Sequence, residues 1–205
     1  MTDRSFSFPH VSVPRTVYPP QEDSLLLARA AFHNARGKIL DLGCGTGIAG
    51  ITATMNGNVE RVVFADLNDA AVHAAKDNSS TLATPCDFVK TDIFENLKGK
   101  FDTILFNPPY LPTANDEKLN DEENLAYDGG LDGRETIDRF LQSFNNHLAP
   151  NGKLLLVQSS LNDLEKTRKT LQEKGFVIEL VGSASFFFER VEVWKVRRER
   201  ENETF

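Results

Sequence analysis

The run Phe101-Asp102-Thr103-Ile104-Leu105-Phe106 is apolar, β-branched and aromatic, and it stops at Asn107-Pro108-Pro109-Tyr110. Two prolines cannot donate to a sheet ladder, so the chain must leave the sheet there. Asn107 is therefore expected at the carboxyl end of a buried strand, the end at which open α/β sheets bind their ligands. An asparagine offers one carbonyl acceptor and two N–H donors, and the prolines hold the following carbonyls extended, without helix or sheet partners. Such a constellation can grip a planar amide or amino group. An ordinary Asn-Pro turn would account for two of these residues, but not for four in this order after this strand.

The rest of the chain supplies neighbours for that strand. Residues 1–20 carry Pro9, Pro14, Pro19 and Pro20 with Phe6, Phe8 and Tyr18 between them, which suits an extended arm. Pro20-Gln21-Glu22-Asp23-Ser24 opens a helix through residue 34, with proline in the first turn and acids near the positive end of the dipole. Strands follow at 38–42, 61–65, 87–91 and 153–158, with helices at 48–55, around Ala71, Val72, Ala74 and Ala75, and at 134–148 and 161–174. Pro150-Asn151-Gly152 closes the helix before the fifth strand. Residues 175–181 and 186–196 read as two further strands forming an edge hairpin, with Phe186-Phe187-Phe188 and Trp194 placed in the core by default. An outward-facing member of that set would mark a partner surface.

Alternation of this kind implies an α/β fold with a seven-stranded Rossmann-like sheet, mostly parallel, with an antiparallel C-terminal strand pair and helices on both faces. The expected organisation is an extended arm over 1–20, one domain over 21–196 and a solvated tail over 197–205. A chain of 205 residues can bury about 70% of its unfolded surface without a staple. Cys44 and Cys86 form no CxxC, and His10, His33, His73 and His147 have no ligand spacing, so neither a metal site nor a disulfide framework is expected. No stretch is apolar for long enough to cross a bilayer, which points to a cytoplasmic protein. A net charge of −7 argues against a nucleic-acid substrate. Between 111 and 133 lies a long polar loop in which Asp116, Glu117, Asp121, Glu122, Glu123, Asp128 and Asp132 face only Lys118. Its length and place suit a recognition segment.

The turn Gly43-Cys44-Gly45-Thr46-Gly47 after the first strand is not a dinucleotide fingerprint, because its third glycine comes one position early and Ile48 stands in its place. No Gly-Lys-Ser/Thr follows, so it is no phosphate loop either. Asp41 lies just before the first glycine. A carboxylate there suits a ligand with a cationic ammonium group and repels a pyrophosphate. Asp66, ending the second strand, can accept hydrogen bonds from both hydroxyls of a ribose, and Asp92, ending the third, can reach an adenine amino group. One such acid alone would be read as a cap. Three at successive strand ends form a pattern.

These residues resemble those of class I S-adenosylmethionine-dependent methyltransferases. Asp41-Leu42-Gly43-Cys44-Gly45-Thr46-Gly47 is similar to their cofactor loop, and Asn107-Pro108-Pro109-Tyr110 to the motif of amino- and amide-nitrogen methylators. Within the class, the chain resembles the HemK-like glutamine N5-methyltransferases of peptide-chain release factors. Tyr18-Pro19-Pro20-Gln21-Glu22-Asp23-Ser24 and Gly129-Gly130-Leu131-Asp132-Gly133-Arg134-Glu135, followed by Asp138-Arg139-Phe140, resemble segments of the archaeal and eukaryotic branch. Ser24 stands where that branch commonly has a threonine.

The resemblance implies that S-adenosylmethionine is bound by Ser24, Asp41, Gly43, Gly45, Asp66, Leu67, Asp92, Ile93 and Asn107 and leaves as S-adenosylhomocysteine. It implies catalysis by Asn107, Pro108, Pro109 and Tyr110 on the glutamine of the Gly-Gly-Gln loop of a class I release factor. It also implies a heterodimer with a small zinc-binding activator, for which the Phe-rich end and residues 87–91 are candidate surfaces. Other readings share the motifs. An adenine-N6 methyltransferase on DNA or RNA presents the same planar nitrogen but usually has a basic face. A protein-lysine or small-molecule methylator could use the same cofactor loop, and a cofactor-binding scaffold without turnover is the non-enzyme alternative.

Overall fold

A computed structural model describes residues 6–111, 129–186 and 188–199. The elements are α1 (Glu22–Asn34), β1 (Gly37–Leu42), α2 (Ile48–Thr54), β2 (Val59–Asp66), α3 (Asp69–Asn78), β3 (Cys86–Lys90), β4 (Phe101–Phe106), α4 (Glu135–His147), β5 (Leu148–Ser159), α5 (Leu164–Glu173), β6 (Phe176–Ser185) and β7 (Arg190–Arg198). Among the described residues seven strands form one sheet in the order β3-β2-β1-β4-β5-β7-β6. The first five run parallel, and β7 pairs antiparallel with both β5 and β6. The order reverses between β1 and β4, which opens a crevice at their carboxyl ends.

Successive strand residues point to opposite faces, and the two faces fill separately. Leu40, Leu42, Ile104, Phe106, Leu154, Leu156 and Trp194 pack with Ile137, Phe140, Leu141 and Phe144 of α4 and Leu171 of α5. Ile39, Phe64, Leu105, Leu155 and Val193 pack on the other side, under Leu27, Ala28 and Ala31 of α1, Ala49, Ile51 and Ala53 of α2 and Ala75 of α3. The N-terminal arm crosses this second layer. Phe6 lies 4.7 Å from Phe32, Ser12 and Asn78 exchange hydrogen bonds of 2.8 and 2.9 Å, and Val17 is buried with Ala71 and Ala74.

Several boundaries differ from the sequence expectation. β5 begins at Leu148, because a register shift between Phe101 and Thr103 of β4 absorbs Pro150-Asn151-Gly152 as an irregularity in the ladder. α5 begins at Leu164 because the Asp163 side chain accepts the N–H of Lys166 and caps the helix. Phe186 and Phe188 lie outside both strands, 42% and 93% exposed, and not in the core. The reason is register: β5 ends at Ser159, opposite Val191, so residues before Arg190 have no β5 partner. Phe187 lies outside the described residues, as do the loop acids from Asp116 to Asp128 and the tail beyond Glu199. Finally, β7 runs to Arg198, into the segment expected to be solvated.

Candidate active site

Local sequence fixes the turn after β1. Gly43, Gly45 and Gly47 take φ of +62°, +51° and +81°, a region that costs residues with a Cβ. Helix α2 then starts at Ile48, and Gly50 lies against the sheet. A Cβ at Gly50 would sit 2.9 Å from Asp41 Oδ2. With no side chain there, the Gly50 N–H donates to that oxygen at 2.8 Å. Asp41 is 2% exposed. Burial drives its carboxyl up to about 7, the Gly50 N–H offsets part of this, and the charge of Asp66 adds to it. Asp66 accepts N–H groups from Gly45 at 3.0 Å and from Asn68 at 2.9 Å. Burial raises its pKa against these bonds. Burial also pushes the Cys44 thiol up, so it stays protonated beside the two acids.

At the carboxyl end of β4, Asn107 faces α1. Its Nδ2 donates to Asp23 Oδ2 at 2.9 Å, and Tyr110 Oη donates to the same oxygen at 3.4 Å. Asp23 Oδ1 accepts from the Tyr18 hydroxyl at 3.4 Å, the Ser24 N–H at 2.6 Å and the Ser24 hydroxyl at 3.2 Å. A carboxylate only accepts, so its partner on Asn107 must be the NH2 group, and this assigns the amide. Asn107 Oδ1 is then left buried without a hydrogen-bond partner. Burial, then the charge of Asp23, raise the Tyr110 phenol above its ordinary value, so the hydroxyl remains a donor.

The backbone after the motif is clamped from the other side. Asn162 Nδ2 donates to the carbonyls of Tyr110 and Gly133 at 2.8 and 2.9 Å. Gly133, at φ +69°, has no room for a Cβ against Tyr110 and Asn162. The Gly129 N–H donates to the Leu111 carbonyl at 3.0 Å. Arg134, 3% exposed, donates to the carbonyls of Asn162 and Asp163, to Thr167 Oγ1 and to Asp138 Oδ1. It locks the start of α4 to that of α5.

One cavity of about 350 Å³ collects the residues singled out in the sequence. Ser24, Asp41, Gly43, Gly45, Asp66, Leu67, Asp92, Ile93, Asn107, Pro108, Pro109 and Tyr110 all line it. Some are engaged within the protein: the Ser24 hydroxyl is bonded to Asp23, and Asp92 pairs with Arg139 at 2.7 Å. Ile93 has φ +49°, a strained conformation for a β-branched residue, at the cavity wall. Sequence reasoning passed over Asp23 as a site residue, although it stands in the quoted Glu22-Asp23 pair, and it passed over Asn162 altogether. No local signal marks Asn162, because its partners are 52 and 29 residues away.

The lining carries Asp23, Asp41, Asp66, Asp92 and Glu135 against Arg139, which is already paired. Such a set fits a ligand with positive centres, and the glycine turn leaves the backbone open to close approach. S-adenosylmethionine, with its sulfonium and ammonium groups, meets both conditions. Among the described residues no group of three or more His, Cys, Asp or Glu could hold a metal ion, and no helix is long and apolar enough to cross a membrane.

This sheet and crevice are those of a class I methyltransferase. Residues 21–125 match the methyltransferase small domain model, and the chain belongs to that family of S-adenosylmethionine-dependent enzymes. It is 41% identical over 177 residues, 86% of this chain and 89% of the relative, to a Methanocaldococcus jannaschii protein that carries the provisional name protein N5-glutamine methyltransferase. It is 33% identical over 171 residues to methyltransferase HEMK2 of Mus musculus, covering 78% of this chain and 80% of that protein. Among solved structures it resembles the E. cuniculi Mtq2-Trm112 complex, which methylates the translation termination factor eRF1. That likeness has a TM-score of 0.68 and 26% identity, over 90% of this chain and 99% of the matched chain.

Proposed function

We propose that this protein methylates the side-chain amide nitrogen, N5, of the glutamine in the Gly-Gly-Gln loop of a class I peptide-chain release factor. The observation that carries the reading is Asn107 on the cavity wall, with its NH2 held by Asp23 and its Oδ1 left without a hydrogen-bond partner. The names of the relatives support the same substrate class.

An amide nitrogen is a poor nucleophile because its lone pair is delocalised into the carbonyl. Asn107 Oδ1 and the Pro108 carbonyl accept the two amide hydrogens, hold the nitrogen out of conjugation and aim its lone pair. Tyr110 packs against the amide plane, with its hydroxyl anchored on Asp23. Positioning of this kind supplies up to roughly 7–11 kcal/mol, so no strong base is needed in the site. Asp41 receives the ammonium end of the cofactor, Gly43 and Gly45 let the backbone approach it, Asp66 takes ribose hydroxyls and Asp92 the adenine amino group. Ser24, Leu67 and Ile93 complete the walls. When bound, S-adenosylmethionine supplies an electrophilic methyl group.

The enzyme works in the cytoplasm, in a heterodimer with a small zinc-binding activator. β3 is an edge strand carrying the half-buried Phe88 and Val89, and it offers that subunit an unpaired ladder. An acidic chain suits a basic release factor, and no direct nucleic-acid substrate is expected. The test is methyl transfer from labelled S-adenosylmethionine to the release factor, wild type and with the loop glutamine replaced, with and without activator, and to duplex and single-stranded DNA in parallel. Incorporation that needs both the glutamine and Asn107 is expected. Label in DNA adenine with none in protein would sink the reading.

A further inference from the structure

The carboxyl edge of the sheet is divided at Asn107. The glycine turn, Asp66 and Asp92 stand over β1, β2 and β3, whereas Asn162 and Glu189 stand over β5 and β7, on the far side of Tyr110. That second half holds an unusual concentration of exposed apolar groups. Of the nine large hydrophobic side chains exposed among the described residues, Leu111, Leu131, Leu161, Phe186 and Phe188 belong to segments that converge there. Leu111 follows Tyr110. Leu131 lies in the turn closed by Gly133 N–H to the Gly130 carbonyl, and Gly133 and Tyr110 are both held by Asn162, the neighbour of Leu161. The turn carrying Phe186 and Phe188 is pinned to the same place: Arg190 N–H donates to Ser160 Oγ, and Ser160 N–H to the Arg190 carbonyl, both at 2.9 Å.

The ring adjoins the catalytic motif through the Asn162 bonds to the Tyr110 and Gly133 carbonyls, and that place points to what covers it. A small amide would fit within the cavity and leave the ring unused. A short side chain reaching Asn107, in contrast, keeps its own main chain at the mouth, between Tyr110 and the ring.

We propose that this apolar ring docks the polypeptide segment that carries the target glutamine. Apolar side chains of that segment seat on Leu161, Phe186 and Phe188. The proposal rests on the glutamine-methylation reading above and continues that site outward. Exposed clusters of this kind, rimmed by polar groups, mark interaction surfaces.

The test uses the activator complex with the release factor as substrate, comparing wild type with Phe188→Ser, Leu161→Ser and the double variant. These side chains are exposed, so folding is expected to survive. The KM for the release factor is expected to rise about tenfold or more in the double variant, while kcat and the affinity for S-adenosylmethionine stay within about twofold. An unchanged KM in the double variant, with an active wild type, overturns the docking surface and leaves the glutamine reading intact. A wild type that labels no release factor at all overturns both. Loss of the activator from the purified variant complex would assign the ring to that subunit and overturn the proposal.

Discussion

At the scale of the residue, the site turns on which way one amide faces. Asp23 can only accept, so it holds the Asn107 NH2 and leaves the carbonyl oxygen without a partner. Asp23→Asn keeps the shape but allows the amide to flip and present donors to a donor. Losing a charge-assisted hydrogen bond of about 1.5–3 kcal/mol corresponds to a fall in kcat of roughly 10- to 150-fold. In an Asn107→Ala background the same change is expected to do much less, because only the Tyr110 hydroxyl is then still held by Asp23 at the motif. A double-mutant cycle on kcat reads this, and additive losses would contradict it. Asp41 gives a pH signature. Its folded pKa is raised from 3.8 to about 7, so the apo fold keeps a proton that the unfolded chain releases, and stability falls as pH rises from about 4 to about 7. A cationic ligand selects the ionised form. Affinity for S-adenosylmethionine is therefore expected to strengthen as pH rises through about 7, and titration calorimetry should show proton release on binding there. Asp41→Asn should flatten both curves.

At the scale of the element, the starts of α4 and α5 are held by one guanidinium. Arg134 bonds two carbonyls, a hydroxyl and the Asp138 carboxylate from a buried position. Truncating it strands those acceptors, and Arg134→Ala is expected to cost about 3–5 kcal/mol in urea unfolding. Arg134→Lys should recover little, since an ammonium cannot reproduce the planar fork. The half-exposed Lys166–Asp138 and Arg139–Asp92 pairs contribute far less. Because Asn162 follows the same junction and clamps the Tyr110 carbonyl, loosening it should also lower kcat at temperatures where the variant remains folded.

At the scale of the whole molecule, the crevice arises where the strand order reverses, and β3 and β6 form the two edges of the sheet. Hydrogen exchange of the β3 amides, 86–90, is expected to slow when the activator binds, whereas β1 and β4, buried in the middle of the sheet, should not change. Protection appearing on β6 instead would move the partner to the opposite edge.

Much was legible in the sequence because its cause is local. Alternation of strand and helix gave the sheet class, prolines stopped β4, glycines opened the turn after β1, and the acids at strand ends marked the crevice. What went unread depends on partners far along the chain. The Pro150-Asn151-Gly152 breaker became part of a ladder because β4 could absorb it with a register shift, and Phe186 and Phe188 left the core because β5 ends at Ser159. Asn107 was visible as a strand-end amide, but no sequence pattern tells which end of that amide is bonded and which is left unpaired. That was decided by Asp23, 84 residues earlier, brought to β4 by the packing of α1. Composition and spacing determine which groups a chain carries and which element holds them. Only the tertiary fold decides which of those groups meet and which acceptor is left unpaired, because a hydrogen bond between distant residues exists only once the layers have packed.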